Sequence, residues 1–198
     1  SLFFGFFIAS NLSYIFLSIL FIYLICTFLY TNYFKKIVLV DVLFLVAFYT
    51  LRLLAGHVVT DIELSTWLLS FSIFTFFSLG LLKRYIDLAS LDENSKINIR
   101  GRGYKSRDKN FILIIGVCSG LLSSLVLLLY IGSDQVVKLY SNPILLILTI
   151  PLYLYWISWI WITAFRDQME SDPVIFAVKN KNIYAIFVIF ILIMVLSK

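Results

Sequence analysis

Two stretches of this chain gather side chains able to handle phosphate. The first runs Lys83-Arg84-Tyr85-Ile86-Asp87 and resumes at Arg100-Gly101-Arg102-Gly103-Tyr104-Lys105-Ser106-Arg107-Asp108. Guanidinium forks bind phosphate oxygens in pairs, and ammonium groups act as point charges. Gly101 and Gly103 would let the backbone approach a ligand closely. The Gly-Arg-Gly run follows no strand, so it is neither a P-loop nor a dinucleotide fingerprint. A loop that is basic for topological reasons alone is the competing reading. The second stretch is Arg166-Asp167-Gln168-Met169-Glu170-Ser171-Asp172-Pro173. Its three carboxylates suit a hard cation such as Mg²⁺. A solvated loop with a turn at Asp172-Pro173 is the alternative. Asp41 and Arg52 form a third pair. They are eleven residues apart on one apolar segment, which puts them on the same side of a helix but about 16 Å apart. They cannot pair with each other. Asp41 is free to join Lys35 or Lys36, and Arg52 to snorkel or to pair with another helix.

The elements that must carry these residues are apolar. Of 198 residues, 62% are hydrophobic, 18% aromatic and 14% charged, and the mean hydropathy is +1.00. A soluble domain has roughly 45–50% apolar and about 25% charged residues. The composition excludes a soluble globular enzyme, a disordered segment and a nucleic-acid-binding module. It predicts an integral membrane protein, all-α, because an open sheet cannot satisfy its backbone in lipid. After a stub, Leu2–Ala9, six longer apolar stretches run Leu12–Tyr30, Ile37–Gly56, Ser65–Leu82, Phe111–Ile131, Ile144–Phe165 and Ile183–Leu196. With the stub these make seven crossings of a single membrane-embedded domain, residues 1–198. Lys83-Arg84-Tyr85 continues the third long stretch, so these residues sit at a set depth on a rigid element.

Sorting the charges by side gives the orientation. Thirteen of the sixteen basic residues fall in Thr31–Lys36, Lys83–Asn110 and Arg166–Lys181. The opposite side holds Lys138 and Lys198, with Arg52 near its edge. The positive-inside rule places the basic side in the cytoplasm. Polar material gathers at that face, with no internal repeat and no paired helix breaks, which favours a membrane enzyme over a transporter. Cys26 and Cys118 read as packing residues, His57 as a loop residue, and Trp67, Trp156, Trp159 and Trp161 mostly as interfacial or lipid-facing anchors.

Several patches together resemble the UbiA prenyltransferase superfamily, in its polyprenyl-phosphate phosphoribosyltransferase branch (the decaprenyl-phosphate type). They are Phe34-Lys35-Lys36, Asp41, Tyr49-Thr50-Leu51-Arg52-Leu53-Leu54-Ala55-Gly56 and Leu64-Ser65-Thr66-Trp67. Lys83-Arg84-Tyr85-Ile86-Asp87-Leu88, Arg102-Gly103-Tyr104 with Asp108, and Asp172-Pro173 complete the set. The resemblance covers nearly the whole chain. It implies a nine-helix bundle in the bacterial inner membrane, of which these seven crossings would be the third to ninth. The implied reaction moves a 5-phosphoribosyl group from phosphoribosyl diphosphate to polyprenyl phosphate at the cytoplasmic face. Mg²⁺ and basic side chains would neutralise the departing diphosphate. Carried over by position, Lys83, Arg84 and Asp87 would be catalytic, the first two on phosphate and Asp87 on metal or ribose. Lys35, Lys36, Asp41, Arg102, Tyr104, Asp108 and Arg166 would bind substrate. One departure is large: the superfamily's first Asp-rich run, Asn-Asp-x-x-Asp-x-x-x-Asp, has no counterpart here. It would precede Ser1, so the chain reads as the C-terminal part of a longer protein. Two other readings stand beside this one. The first is prenyl transfer to an aromatic acceptor, disfavoured by the spacing of Asp87 and Asp92. The second is a non-catalytic lipid-binding component.

Overall fold

The computed structural model describes residues 13–60, 65–90, 101–169, 176 and 180–198. Among them there is no strand. The helices are α1 (Tyr14–Asn32), α2 (Val40–Thr60), α3 (Thr66–Ala89), α4 (Lys109–Ile131), a short α5 (Asp134–Leu139), α6 (Thr149–Phe165) and α7 (Lys181–Ser197). Turns of 3₁₀ helix cover Phe34–Lys36, Ser106–Asp108 and Pro143–Leu148. Counting the 3₁₀ turns that lead into α4 and α6, five helical segments are long and apolar enough to cross a membrane. The helix α7, with 17 residues, is shorter than these. The expected crossing at Leu2–Ala9 lies outside the described residues.

Most boundaries shift by a residue or two from the sequence reading, and three shifts, in α2 and α3, change what a residue does. The helix α2 begins at Val40 rather than Ile37, because Leu39 takes a left-handed φ of 65°. It then runs to Thr60, so His57 lies in its last turn and not in a loop. The helix α3 reaches Ala89, seven residues beyond the apolar stretch. Its charged last turns are tolerated because Arg84 and Asp87, at i and i+3, face each other on the helix surface. Ser13 and Ser65 cap α1 and α3 by accepting from Phe16 N–H and Leu68 N–H.

The core lies where α3, α4 and α6 meet, and α3 with α4 is the most extensive pairing. The buried face of α4 carries Gly116, Ser119, Gly120 and Ser123 at helical spacing. Small residues let apolar helices approach closely where lipid offers no hydrophobic drive between them. A Cβ at Gly116 would strike the Trp161 ring, and one at Gly120 would lie 2.6 Å from Ile157 Cγ1. Hydroxyls stitch the same interface. Ser78 Oγ donates to the Gly116 carbonyl at 2.7 Å and accepts from Trp161 Nε1 at 3.0 Å. The Tyr153 hydroxyl pairs with those of Thr75 and Ser123 at 2.9 and 2.7 Å. Trp161, 3% exposed, is therefore a core residue rather than an interfacial anchor. Cys26 and Cys118 form no disulfide; Cys26 is half-buried, whereas Cys118, read as a packing residue, is exposed on the outer face of α4.

Because the helices alternate in direction, one end of the bundle collects the C-termini of α1, α3 and α6 and the N-termini of α2, α4 and α7. That is the basic end. At the other end the chain closes through Asn142 N–H to the Ser197 carbonyl at 3.0 Å and Ser141 Oγ to the Lys198 carbonyl at 2.7 Å.

Candidate functional site

Asp41 is the centre of the basic end. It sits in the first turn of α2, where a carboxylate is favoured by the helix dipole. It is completely buried. Its Oδ2 accepts from Arg84 Nε at 2.7 Å and from Arg102 Nη1 at 3.1 Å. Its Oδ1 accepts from the Tyr104 hydroxyl at 2.5 Å. Arg84, 1% exposed, reaches with Nη1 to Asp87 Oδ2 at 2.8 Å. Two guanidinium groups thus meet two carboxylates, and the buried charges balance within the cluster. Burying these ions without such pairing would cost several kcal/mol each.

The cluster joins three segments that the sequence separates widely. The Tyr104 hydroxyl, besides donating to Asp41, accepts from Leu39 N–H at 2.9 Å. That contact holds Leu39 in its left-handed conformation, which costs a non-glycine residue roughly 1–2 kcal/mol. Burial, the bond to Asp41 and the Asp41 charge all push the Tyr104 phenol above its usual pKa, so it stays a donor. The segment 101–105 lies close against the turn before α2: a Cβ on Gly103 would come within 2.5 Å of the Lys36 carbonyl oxygen. The sequence reading expected Gly103 to serve a ligand's approach; what approaches it here is the backbone of Lys36. Gly101 has a φ of 80°, a conformation glycine adopts freely.

Beside the cluster lies a cleft of about 240 Å³ lined by Ile86, Asp87, Ala89, Ser90, Ala164, Asp167 and Met169. Its two carboxylates come from different segments. Asp87 is on α3 and is 26% exposed. Asp167 follows α6 through a Schellman closure: Asp167 N–H donates to the Ala164 carbonyl and Gln168 N–H to the Thr163 carbonyl, both at 3.1 Å. This position usually falls to glycine, yet Asp167 occupies it at φ 53°. Above the neighbouring Tyr85 ring stands Lys109 Nζ, 5.3 Å from the centroid.

The structure brings Asp41, Arg84, Asp87, Arg102 and Tyr104 into one connected cluster. Lys83 is half-buried on the same helix. Lys35 and Lys36 stand on the 3₁₀ turn before α2. The partners of Asp41 are Arg84, Arg102 and Tyr104 rather than a lysine. Asp108 accepts from Lys105 N–H at 2.8 Å and so organises the entry into α4. Arg166 is exposed at the cap of α6, whereas its neighbour Asp167 turns into the cleft. Glu170 and Asp172 lie outside the described residues. Among the described residues, no three or more of His, Cys, Asp and Glu gather as a metal-binding group. Asp167 stood in the acidic stretch, but nothing in the sequence singled it out. The available signal was its place directly after the last apolar residues of α6, where a helix cap must turn the chain.

No family model matches the chain. Over 162 residues, 81% of its length, it is 34% identical to a protein of Sinorhizobium fredii named "Uncharacterized protein y4nM", of which the match covers 31%. Over 145 residues, 71% of its length, it is 30% identical to "Nodulation protein NoeC" of Azorhizobium caulinodans, of which the match covers 46%. The chain thus spans less than half the length of these curated relatives.

Proposed function

We propose that the protein carrying this chain is a membrane-embedded transferase of UbiA type. It moves a 5-phosphoribosyl group from phosphoribosyl diphosphate to polyprenyl phosphate at the cytoplasmic face of a bacterial inner membrane. The observation that supports this most is the cleft lined by Asp87 and Asp167 at the basic end of an apolar helical bundle, with a rigid, charge-balanced cluster beside it. A lipid phosphate and a phosphorylated sugar both need cations at the membrane edge, and this end supplies Lys35, Lys36, Lys83 and Arg102.

In the transfer, the bond from the ribose anomeric carbon to the diphosphate breaks. A bond from that carbon to a phosphate oxygen of the lipid forms. The lipid phosphate is already anionic, so its attack requires positioning more than a base. Lys83, one helical turn before Asp87 on α3, would contribute a point charge for phosphate. Arg84 acts from beneath: its bonds to Asp41 and Asp87 orient the Asp87 carboxylate. Mg²⁺ is held in many phosphate sites by one or two carboxylates plus substrate oxygens. Asp87 on α3 and Asp167 just after α6 both line the cleft and would supply the carboxylates of such a sparse donor set. When bound, the ion would neutralise charge on the leaving diphosphate. The lipid tail would lie along the apolar outer faces of the bundle.

The test uses the whole protein in membranes, with labelled phosphoribosyl diphosphate, polyprenyl phosphate and Mg²⁺, and reads label in the lipid extract. Lys83→Ala and Asp87→Asn are expected to lower transfer by about hundredfold at unchanged expression. Arg84→Ala is a poorer probe, since removing one member of a buried pair costs about 3–5 kcal/mol of stability. Absence of lipid-linked label in the wild type, or full transfer by both variants, would sink the proposal. The coding sequence upstream of Ser1 gives a second check: the reading expects an Asn-Asp-x-x-Asp-x-x-x-Asp run there.

A further inference from the structure

Arg52 lies far from the basic cluster, about 16 Å along α2 from Asp41 by helical rise, on a helix with the length and hydropathy of a membrane span. It is exposed. Nη2 donates to the Tyr23 hydroxyl of α1 at 2.8 Å. The guanidinium carbon stands 5.6 Å from the Tyr23 ring centroid and 5.4 Å from that of Tyr49. Aromatic faces attract a guanidinium and hold its plane. They do not neutralise its charge, and no carboxylate among the described residues forms an ion pair with it. A positive charge at this depth is costly unless something anionic meets it.

Next to Arg52 a groove of about 450 Å³ runs between α1 and α2. Phe16, Ile19 and Leu20 form one wall, and Leu51 and Ala55 the other. Among the described residues of the lining, Arg52 is the single cation. A fork-shaped donor at the edge of a hydrocarbon-lined groove matches an anionic amphiphile: phosphate on the guanidinium, chain along the groove. The walls are too apolar for a free phosphate, and both helices have the character of spans whose surroundings are acyl chains. We propose that this groove binds one anionic phospholipid of the leaflet opposite the basic end, with its phosphodiester on Arg52 and an acyl chain between α1 and α2. The inference rests on these helices lying in a bilayer and not on the transfer reaction.

The experiment uses the whole protein in bilayer discs of equal phosphatidylglycerol and phosphatidylcholine. Native mass spectrometry then counts the lipids retained after release. The wild type should keep phosphatidylglycerol over phosphatidylcholine by about tenfold: both carry the phosphodiester, but the choline ammonium of phosphatidylcholine cancels its net charge and is repelled by Arg52. Arg52→Ala should bring that ratio to about one. Gly56→Leu tests the groove with the charge intact. A Cβ at Gly56 meets nothing within 4 Å, so the side chain enters the groove without displacing the backbone, and retained lipid should fall. If Arg52→Ala does not fold, Gly56→Leu decides the matter. An unchanged ratio in Arg52→Ala, unchanged retention in Gly56→Leu, or no retained lipid in the wild type (a groove covered by another part of the protein) overturns the proposal. Release of the wild type from membranes by alkaline carbonate would instead overturn the bilayer reading itself. The transfer assay is independent of both.

Discussion

Replacing Tyr104 by Phe removes one oxygen atom and two hydrogen bonds. The hydroxyl donates to a fully buried carboxylate and accepts from the N–H of a residue in a strained conformation. A bond to a charged group contributes about 1.5–3 kcal/mol, and a buried donor left without its acceptor costs about 1–3 kcal/mol. Leu39 is only half-buried, so its share belongs at the low end. Relaxation of its backbone returns roughly 1 kcal/mol of the left-handed penalty. The net loss is about 2–3 kcal/mol. For a chain of this size each kcal/mol moves Tm by roughly 2–4 °C, so the variant should melt about 4–12 °C lower. The partner variant, Asp41→Asn, keeps the shape but leaves Arg84 and Arg102 facing a neutral group, and should cost about 3–5 kcal/mol. If the hydroxyl acts through Asp41, the double variant should lose less than the sum, with a coupling of about 1–2 kcal/mol. Thermal unfolding of the whole protein in detergent, followed by tryptophan fluorescence and circular dichroism, measures all four corners of the cycle. A Tyr104→Phe Tm within roughly 1 °C of wild type would refute the reasoning. So would additivity within about 0.3–0.5 kcal/mol.

Two further outcomes follow from the same end of the bundle. Asp167→Gly places the residue that best suits a left-handed helix cap, so it should not lower Tm, while transfer falls by about hundredfold; a clear loss of stability would show that Asp167 is structural. The Tyr104 phenol also predicts a direction in alkali. Its folded pKa lies above its unfolded value near 10, so the folded state holds the proton more tightly. Its contribution is complete below about pH 10 and is lost as pH rises through the raised folded value. The alkaline slope of Tm should therefore be steeper in the wild type than in Tyr104→Phe, and equal slopes would count against the assignment.

Much of this was readable in the chain itself. Runs of about twenty apolar residues leave a backbone in lipid no option but the helix, which is why five stretches are helices of spanning length, with boundaries a few residues off except at the end of α3, seven residues beyond its stretch. The gathering of basic residues at one end, ten of the expected thirteen being among the described residues, needed only the alternation of those runs. The i, i+3 relation of Arg84 and Asp87 follows from helical geometry once α3 is extended past Leu82. Other features depend on distances that no local pattern encodes. Asp41 meets Arg84, Arg102 and Tyr104 across separations of 43, 61 and 63 residues, and only the packing of α2 on α3, with the segment 101–105 closing over them, decides that Arg84 is buried between carboxylates. Asp167 entered the cleft through the way α6 ends and packs beside α3. Trp161 left the interface for the core because Gly116 has no side chain to exclude it. The apolar runs determine which segments are helices, and the charges between them determine which end is basic. The partners of a buried charge are chosen by desolvation, since each ion must find whichever counterion the tertiary packing brings within reach.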